Sequence, residues 1–367
     1  GTRVAFVRGS RLYVGPVDGS SEPQPITPAE TASTVHWGEA EFVAQEEMNR
    51  FKGYWWSPDG ARLAVERFDE AKVGTVTRAA IGADGTRTFE QRYPAAGTPN
   101  AEVSLWVIGA DGQSRVQVDL GPDPDIYLAR VDWAPDGKVL YVQRENRAQT
   151  RLDMLKVDPA TGKAEVLFTE KAAEGSWINL SDAYRFLADG SLIWWSERDG
   201  FGHLYRFEEN HHLESQWKRL TKGPWVVTDL VGVDQKAGRV TFVGTRDDVL
   251  APQVYAFDLK APDKIERLTD PAFHNSAAMD RKGRIWMSSR FRRPEDQPEF
   301  CKSHPSAALA PPTCAATTRR WNPITCCSTC STTAPSWPRN WPAGCRSAST
   351  AHRWPRAPSC RRGPRWR

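Results

Sequence analysis

The strongest constraint on the fold is a mark that recurs between short apolar runs. Trp56-Ser57-Pro58-Asp59-Gly60 leads straight into a run of strand character, and Trp133-Ala134-Pro135-Asp136-Gly137 repeats the pattern. Phe186-Leu187-Ala188-Asp189-Gly190 and Met279-Asp280-Arg281-Lys282-Gly283 are weaker copies. In each, a bulky residue ends one run, a turn rich in Asp and Gly reverses the chain, and a β-prone run rises after it. Such runs cover residues 4–7, 11–14, 61–67, 104–108, 139–144, 152–157, 191–196, 203–207, 239–244, 253–258 and 284–288. They are rich in Val, Tyr, Trp and Phe, which suit a pleated surface. Further turns stand at Ala83-Asp84-Gly85, Ala110-Asp111-Gly112 and Ala160-Thr161-Gly162. Long stretches of period 3.6 are scarce, so the class is all-β. The four Asp-Gly marks are spaced unevenly, by 77, 53 and 91 residues, as repeats with insertions would be. A generic sandwich would not explain the repeated aromatic turn. A β-propeller of four-stranded blades would, with roughly six blades at about 40–50 residues each.

Composition divides the chain in two. Of 49 Lys and Arg, eleven fall in residues 301–367, which hold no Asp or Glu; residues 1–300 therefore carry 38 basic and 45 acidic side chains. The net +4 describes neither part. An acidic body excludes a uniformly basic nucleic-acid binder. All seven cysteines lie at or beyond Cys301, so the body is not a disulfide-stapled scaffold. Residues 301–367 contain ten Pro, ten Arg and five Trp but a single Leu and a single Ile, too few branched aliphatics for a packed core. The expectation is a propeller over residues 1–290 and, over 291–367, a disordered, low-complexity tail that forms no domain. Cys326-Cys327-x-x-Cys330 holds one C-x-x-C without a second pair at zinc-finger spacing. The tail's composition fits translation of a GC-rich gene out of frame better than a natural basic tail or a metal cluster.

One segment breaks the strand pattern. Residues 39–52 have helix-favouring composition and contain the adjacent Glu46 and Glu47. On a strand the two would point to opposite faces; on a helical turn they diverge by about 100° and can reach one cavity. Two close carboxylates repel unless a cation lies between them, so the pair is a candidate receptor for an ammonium group; a solvated charged face is the plainer reading. Other chemistry is not supported. His36, His203, His211, His212 and His274 show no metal-ligand spacing, and neither a G-x-S-x-G elbow nor a phosphate-binding glycine loop occurs. Trp55-Trp56 and Trp194-Trp195 are expected to be core or blade-contact aromatics.

Phe42-Val43-Ala44-Gln45-Glu46-Glu47-Met48-Asn49-Arg50, followed by Tyr54-Trp55-Trp56-Ser57-Pro58-Asp59-Gly60, resembles the propeller domain of the dipeptidyl peptidase IV family, serine exopeptidases of the prolyl oligopeptidase class. Three more segments agree in order: Arg92-Tyr93-Pro94-Ala95-Ala96-Gly97-Thr98-Pro99-Asn100, Gly200-Phe201-Gly202-His203-Leu204-Tyr205 and Leu220-Thr221-Lys222-Gly223-Pro224-Trp225. The resemblance covers residues 1 to about 290 and implies an eight-bladed parent propeller, of which this chain holds part. It places the family's double-glutamate motif on Glu46 and Glu47, where it binds the free N-terminal amine of a peptide and measures off two residues, usually to Pro or Ala. The family's Ser-Asp-His triad and oxyanion tyrosine belong to an α/β-hydrolase domain that is not in this sequence, and an arginine from an earlier blade would stand before its start. The resemblance thus implies a substrate-gating fragment, inactive alone, of a bacterial enzyme that releases N-terminal dipeptides. Its expected partners are a peptide with a free N-terminus and the hydrolase domain of the parent chain; the family is often homodimeric. Neither cofactor, metal nor nucleic acid is expected, and the family points to a periplasmic, secreted or membrane-anchored setting. The alternative from another class is a catalysis-free propeller that serves as a binding module with a basic tail.

Overall fold

The computed structural model describes residues 1–209, 216–280, 283–291 and 313–316. The chain lays down one antiparallel sheet after another. The first sheet comprises β1 (Arg3–Arg8), β2 (Arg11–Pro16) and β3 (Gln24–Pro25). The second contains β4 (Val35–Trp37), then the only helix of the described residues, α1 (Phe42–Glu46), then β5 (Tyr54–Trp56) and β6 (Arg62–Asp69). A separate hairpin of β7 (Thr75–Gly82) and β8 (Gly85–Arg92) intervenes before β9 (Glu102–Gly109) and β10 (Arg115–Gln117) complete that sheet. Three four-stranded sheets follow in simple up-and-down order. They are β11 (Ile126–Trp133), β12 (Leu140–Asn146), β13 (Arg151–Val157) and β14 (Ala164–Lys171); β15 (Arg185–Phe186), β16 (Leu192–Ser196), β17 (His203–Phe207) and β18 (Trp217–Arg219); and β19 (Val227–Asp234), β20 (Arg239–Gly244), β21 (Gln253–Asp258) and β22 (Ala261–Arg267). The last sheet comprises β23 (Phe273–Met279), β24 (Ile285–Phe291) and β25 (Thr313–Ala316). Each run read from the sequence falls on one of these strands to within a residue, and the six sheets other than the β7–β8 hairpin match the expected blade count.

Each sheet shares its core with the next. Ala64, Leu105 and Val107 of the second sheet meet Leu128, Val131, Leu140 and Val142 of the third. Leu152, Met154 and Phe168 of the third meet Leu192, Trp194 and Phe207 of the fourth. Ile193 and Leu204 of the fourth meet Val240, Phe242 and Tyr255 of the fifth. A middle blade therefore has both faces covered, which is why β20 and β21 are buried along nearly their whole length rather than on alternate residues. Sequential four-stranded sheets stacked face to face make this a partial β-propeller.

The recurring turns are one structure used four times. The glycine N–H closes each turn on a carbonyl three residues back: Gly60 on Ser57 (2.8 Å), Gly137 on Ala134 (2.8 Å), Gly190 on Leu187 (3.1 Å) and Gly283 on Asp280 (3.0 Å). All four glycines are left-handed, with φ between 69° and 84°. In the first three, the Asp carboxylate accepts the backbone N–H two residues on, just past the glycine: Ala61 to Asp59, Lys138 to Asp136 and Ser191 to Asp189, at 2.9–3.0 Å. Trp55 and Trp195 join blades, as expected. Trp133 Nε1 donates to the Trp55 carbonyl at 3.0 Å, and Trp195 Nε1 donates to that of Val227 at 2.8 Å.

Thr313–Ala316 pairs with β24, Ile285 opposite Ala316 and Ser288 opposite Thr313. The expected tail of 291–367, its C-x-x-C at Cys327 and Cys330, and the His211-His212 pair otherwise lie outside the described residues.

Candidate functional site

The site is an interruption of a strand. β4 and β5 both pair with β6, lying end to end along it: Trp37 opposite Arg67, then Tyr54 opposite Val65. Residues 38–53 leave the sheet between them and carry α1. The neck of this excursion is clamped. Gly38 N–H donates to the Glu66 carbonyl (2.9 Å), Gly53 N–H to that of Gly38 (3.0 Å), and Glu66 N–H to that of Gly53 (2.7 Å). A Glu39–Lys52 bridge sits just above. Gly53 has to be glycine, since a Cβ there would stand 2.2 Å from the Glu39 carbonyl oxygen.

α1 is shorter than the helix-favouring stretch 39–52 suggests. Glu41 caps its N-terminus, accepting from Val43 N–H (2.6 Å) and Ala44 N–H (2.7 Å). At the other end Asn49 adopts the left-handed conformation (φ 52°), which turns the chain so that Arg50 N–H reaches the Ala44 carbonyl at 2.9 Å. Helix propensity is overridden by the need to return to β5. Ala40, Ala44 and Met48 pack the inner face onto Tyr127 and Ala129 of β11, with Leu180 alongside. Phe42 meets Tyr93 edge-on at 5.2 Å, so the double-glutamate segment and the Tyr-Pro segment of the sequence are neighbours.

Beneath α1 lies a buried ion pair. Arg50 spans Glu66 with both terminal guanidinium nitrogens, Nη2 donating to Oε1 at 3.2 Å and Nη1 to Oε2. Arg50 Nη1 also donates to the Lys52 carbonyl (3.0 Å), and the guanidinium lies 5.7 Å from the Trp55 ring. Glu66 is fully buried and Arg50 nearly so. Desolvation pushes the Glu66 carboxyl upward, against the Arg50 charge. Glu41, 5 % exposed, is pushed up to about 7, chiefly by burial and then by the charge of Glu66. Neither Glu41 nor the Arg50–Glu66 pair was singled out by sequence reasoning. Arg50 and Glu66 are 16 residues apart, and only the β6 register brings them together; the Glu41 cap was legible only as an acid before a helical turn.

Glu46 ends α1 and Glu47 is its C-cap. Both side chains are exposed. Among the described residues no cation and no hydrogen-bond donor engages either carboxylate. The backbone turn that brings the two out together is held by Glu47 N–H to the Val43 carbonyl at 2.9 Å. The arrangement therefore supplies two adjacent acceptors, unneutralised, on a platform whose underside is packed, capped and ion-paired.

The histidines behave differently. His203 is buried: its Nε2 donates to the Gly223 carbonyl (2.9 Å), and Thr221 Oγ1 donates to its Nδ1 (3.0 Å). The ring stands edge-on to Trp225 at 4.8 Å, and desolvation lowers its pKa. Two motifs of the sequence, around His203 and around Leu220–Trp225, are thus a single structural joint. His36 lies between Glu39 (Nδ1, 3.0 Å) and Glu70 (Nε2, 3.5 Å) at the root of the excursion, and the Glu39 hydrogen bond leads in raising its pKa. No group of three or more metal-binding side chains is found among the described residues.

The family model of the Dipeptidyl peptidase IV (DPP IV) N-terminal region matches residues 1–298. Dipeptidyl aminopeptidase B of Saccharomyces cerevisiae is 27% identical over 285 residues, covering 73% of this chain and 34% of that protein. Dipeptidyl peptidase 8 of Homo sapiens is 26% identical over 349 residues, covering 72% of this chain and 39% of that protein. The crystal structure of Porphyromonas gingivalis dipeptidyl peptidase 4 superposes with a TM-score of 0.70 at 26% identity, covering 79% of this chain and 40% of that one. The chain spans little more than a third of the length of the curated relatives it matches. Its blades, its interrupted strand and its match over residues 1–298 agree, and the chain belongs to the dipeptidyl peptidase IV family, of which it carries the N-terminal region.

Proposed function

We propose that Glu46 and Glu47 receive the N-terminal ammonium of a peptide, and that this propeller is the substrate-gating part of a serine exopeptidase releasing Xaa-Pro or Xaa-Ala dipeptides. The observation that carries the reading is the exposed, unneutralised carboxylate pair on the clamped excursion. An ammonium donates up to three hydrogen bonds, and charge-assisted bonds to two carboxylates are the strong kind. Fixing the amine fixes how far the chain beyond it extends, which is how such a pair would set cleavage after the second residue. The sequence contains no G-x-S-x-G, so hydrolysis would require the α/β-hydrolase domain of the parent chain. Of the expected tail 291–367, residues 291–298 fall within the family match; the acid-free stretch 301–367 is best explained as reading out of frame, which translation of the coding sequence in all three frames past codon 285 tests directly.

Calorimetric titration of the 367-residue chain with Ala-Pro-Ala should show saturable binding that weakens by about tenfold or more when the peptide is N-acetylated, and a Gly-Pro anilide should release no product. Equal binding of the acetylated peptide would overturn the amine reading; turnover of the anilide would overturn the claim that the chain is inactive alone.

A further inference from the structure

A second cavity, separate from the glutamate pair, lies between the third and fourth sheets. Its volume is about 470 Å³, within the span of ligand pockets. Gln143 of β12 lines it and is 2 % exposed, yet neither Oε1 nor Nε2 has a hydrogen-bond partner. A buried primary amide left with both its acceptor and its donors unused is costly and calls for an explanation. The polar wall across the cavity is unlike it. Glu170 accepts from Ser196 Oγ (2.6 Å), Arg198 Nη2 (2.6 Å) and Trp194 Nε1 (3.2 Å), so that wall is satisfied and held in place. Trp177 lines the same cavity and is 64 % exposed, a large aromatic surface left to solvent.

We propose that this cavity binds an extended peptide segment, whose backbone amide pairs with the Gln143 carboxamide while a side chain packs on Trp177. A peptide group offers one N–H and one C=O, complementary to the idle Oε1 and Nε2. Exposed tryptophans are the residues that most often anchor such contacts. The cavity also adjoins the glutamate platform, because Leu180 lines it and packs on the Ala40, Ala44 and Met48 cluster under α1. The choice of peptide as ligand rests on the proposed amine-binding reading; the site itself does not, since it reads backbone amides and needs no free terminus.

The test titrates the full chain with a peptide blocked at both ends, N-acetyl-Ala-Ala-Phe-Ala-Ala-amide, and with maltotriose as a non-peptide control. The blocked peptide should bind saturably. Gln143→Leu and Trp177→Ala should each weaken it by about tenfold or more, which is the scale of one lost anchor. Glu46→Gln and Glu47→Gln should leave it unchanged. Trp177→Ala alters an exposed side chain and so remains informative if Gln143→Leu fails to fold. Absence of saturable binding, affinity unaltered in Trp177→Ala, or binding of maltotriose in place of the peptide would overturn the proposal. Because the blocked peptide cannot use the amine site, its failure would leave the Glu46–Glu47 reading standing, and the converse holds.

Discussion

Two pairs of glutamates occupy the same small region and live in opposite conditions. Glu41 and Glu66 are buried under α1, one capping the helix and the other locked to Arg50. Glu46 and Glu47 stand on the same helix, exposed and engaged by nothing among the described residues. The buried pair has its charge and hydrogen bonds spoken for by the fold. The exposed carboxylates make no contact with the fold among the described residues, yet the helix that carries them is held in place by the buried pair. The difference separates what a carboxylate does for stability from what it can do for a ligand.

The largest effect that would break this contrast is at Glu66. Glu66→Ala leaves the Arg50 charge buried without its partner, and should cost about 3–5 kcal/mol. Glu46→Ala and Glu47→Ala should change stability by only about 0.5 kcal/mol or less, as surface substitutions do. Denaturant unfolding measured on the three variants checks both halves, and comparable losses at all three would erase the distinction.

The pH dependence comes next. Glu41 titrates near 7 in the folded state, above its ordinary 4.5, so the native state holds a proton that the unfolded chain has lost between those values. Stability should therefore fall as pH rises from 4.5 to 7, by an amount on the order of 3 kcal/mol for this group. Glu145, also pushed to about 7 by burial, adds a slope of the same sign. Glu41→Gln should flatten the profile between pH 4.5 and 7; an unchanged slope would place the titration elsewhere.

A smaller effect is expected at the neck. Gly53→Ala drives a methyl group into the Glu39 carbonyl and should cost about 1–3 kcal/mol, the range of an overpacked site. It should also weaken amine binding, because the neck sets the pose of α1. Loss of stability with binding intact would show that the clamp serves only the sheet.

The strands were legible because alternation and turn chemistry are local. Asp59, Asp136 and Asp189 announce their turns with residues one or two positions away. The glutamate pair was legible only as a departure from the strand pattern, and its role only through resemblance. What sits beneath it was hidden: Arg50 meets Glu66, and Gly53 meets Glu39, through the register of β6 rather than through any spacing in the chain. Gln143 was hidden for the same reason, since nothing in the strand run at 139–144 shows that its amide finds no partner. The end of α1 was not legible, because composition that favours helix over 39–52 cannot show that Asn49 turns the chain back.

The most direct measurement is a double-mutant cycle between the carboxylates and the peptide terminus. Binding is measured for wild type and for the Glu46→Gln, Glu47→Gln double variant, each with free-amine and N-acetylated Ala-Pro-Ala. If the pair receives the amine, the coupling should be at least about 1.5 kcal/mol, the lower range for hydrogen bonds to charged groups. A coupling indistinguishable from zero, with binding retained in every combination, would mean that Glu46 and Glu47 are surface charges and that the amine is read elsewhere.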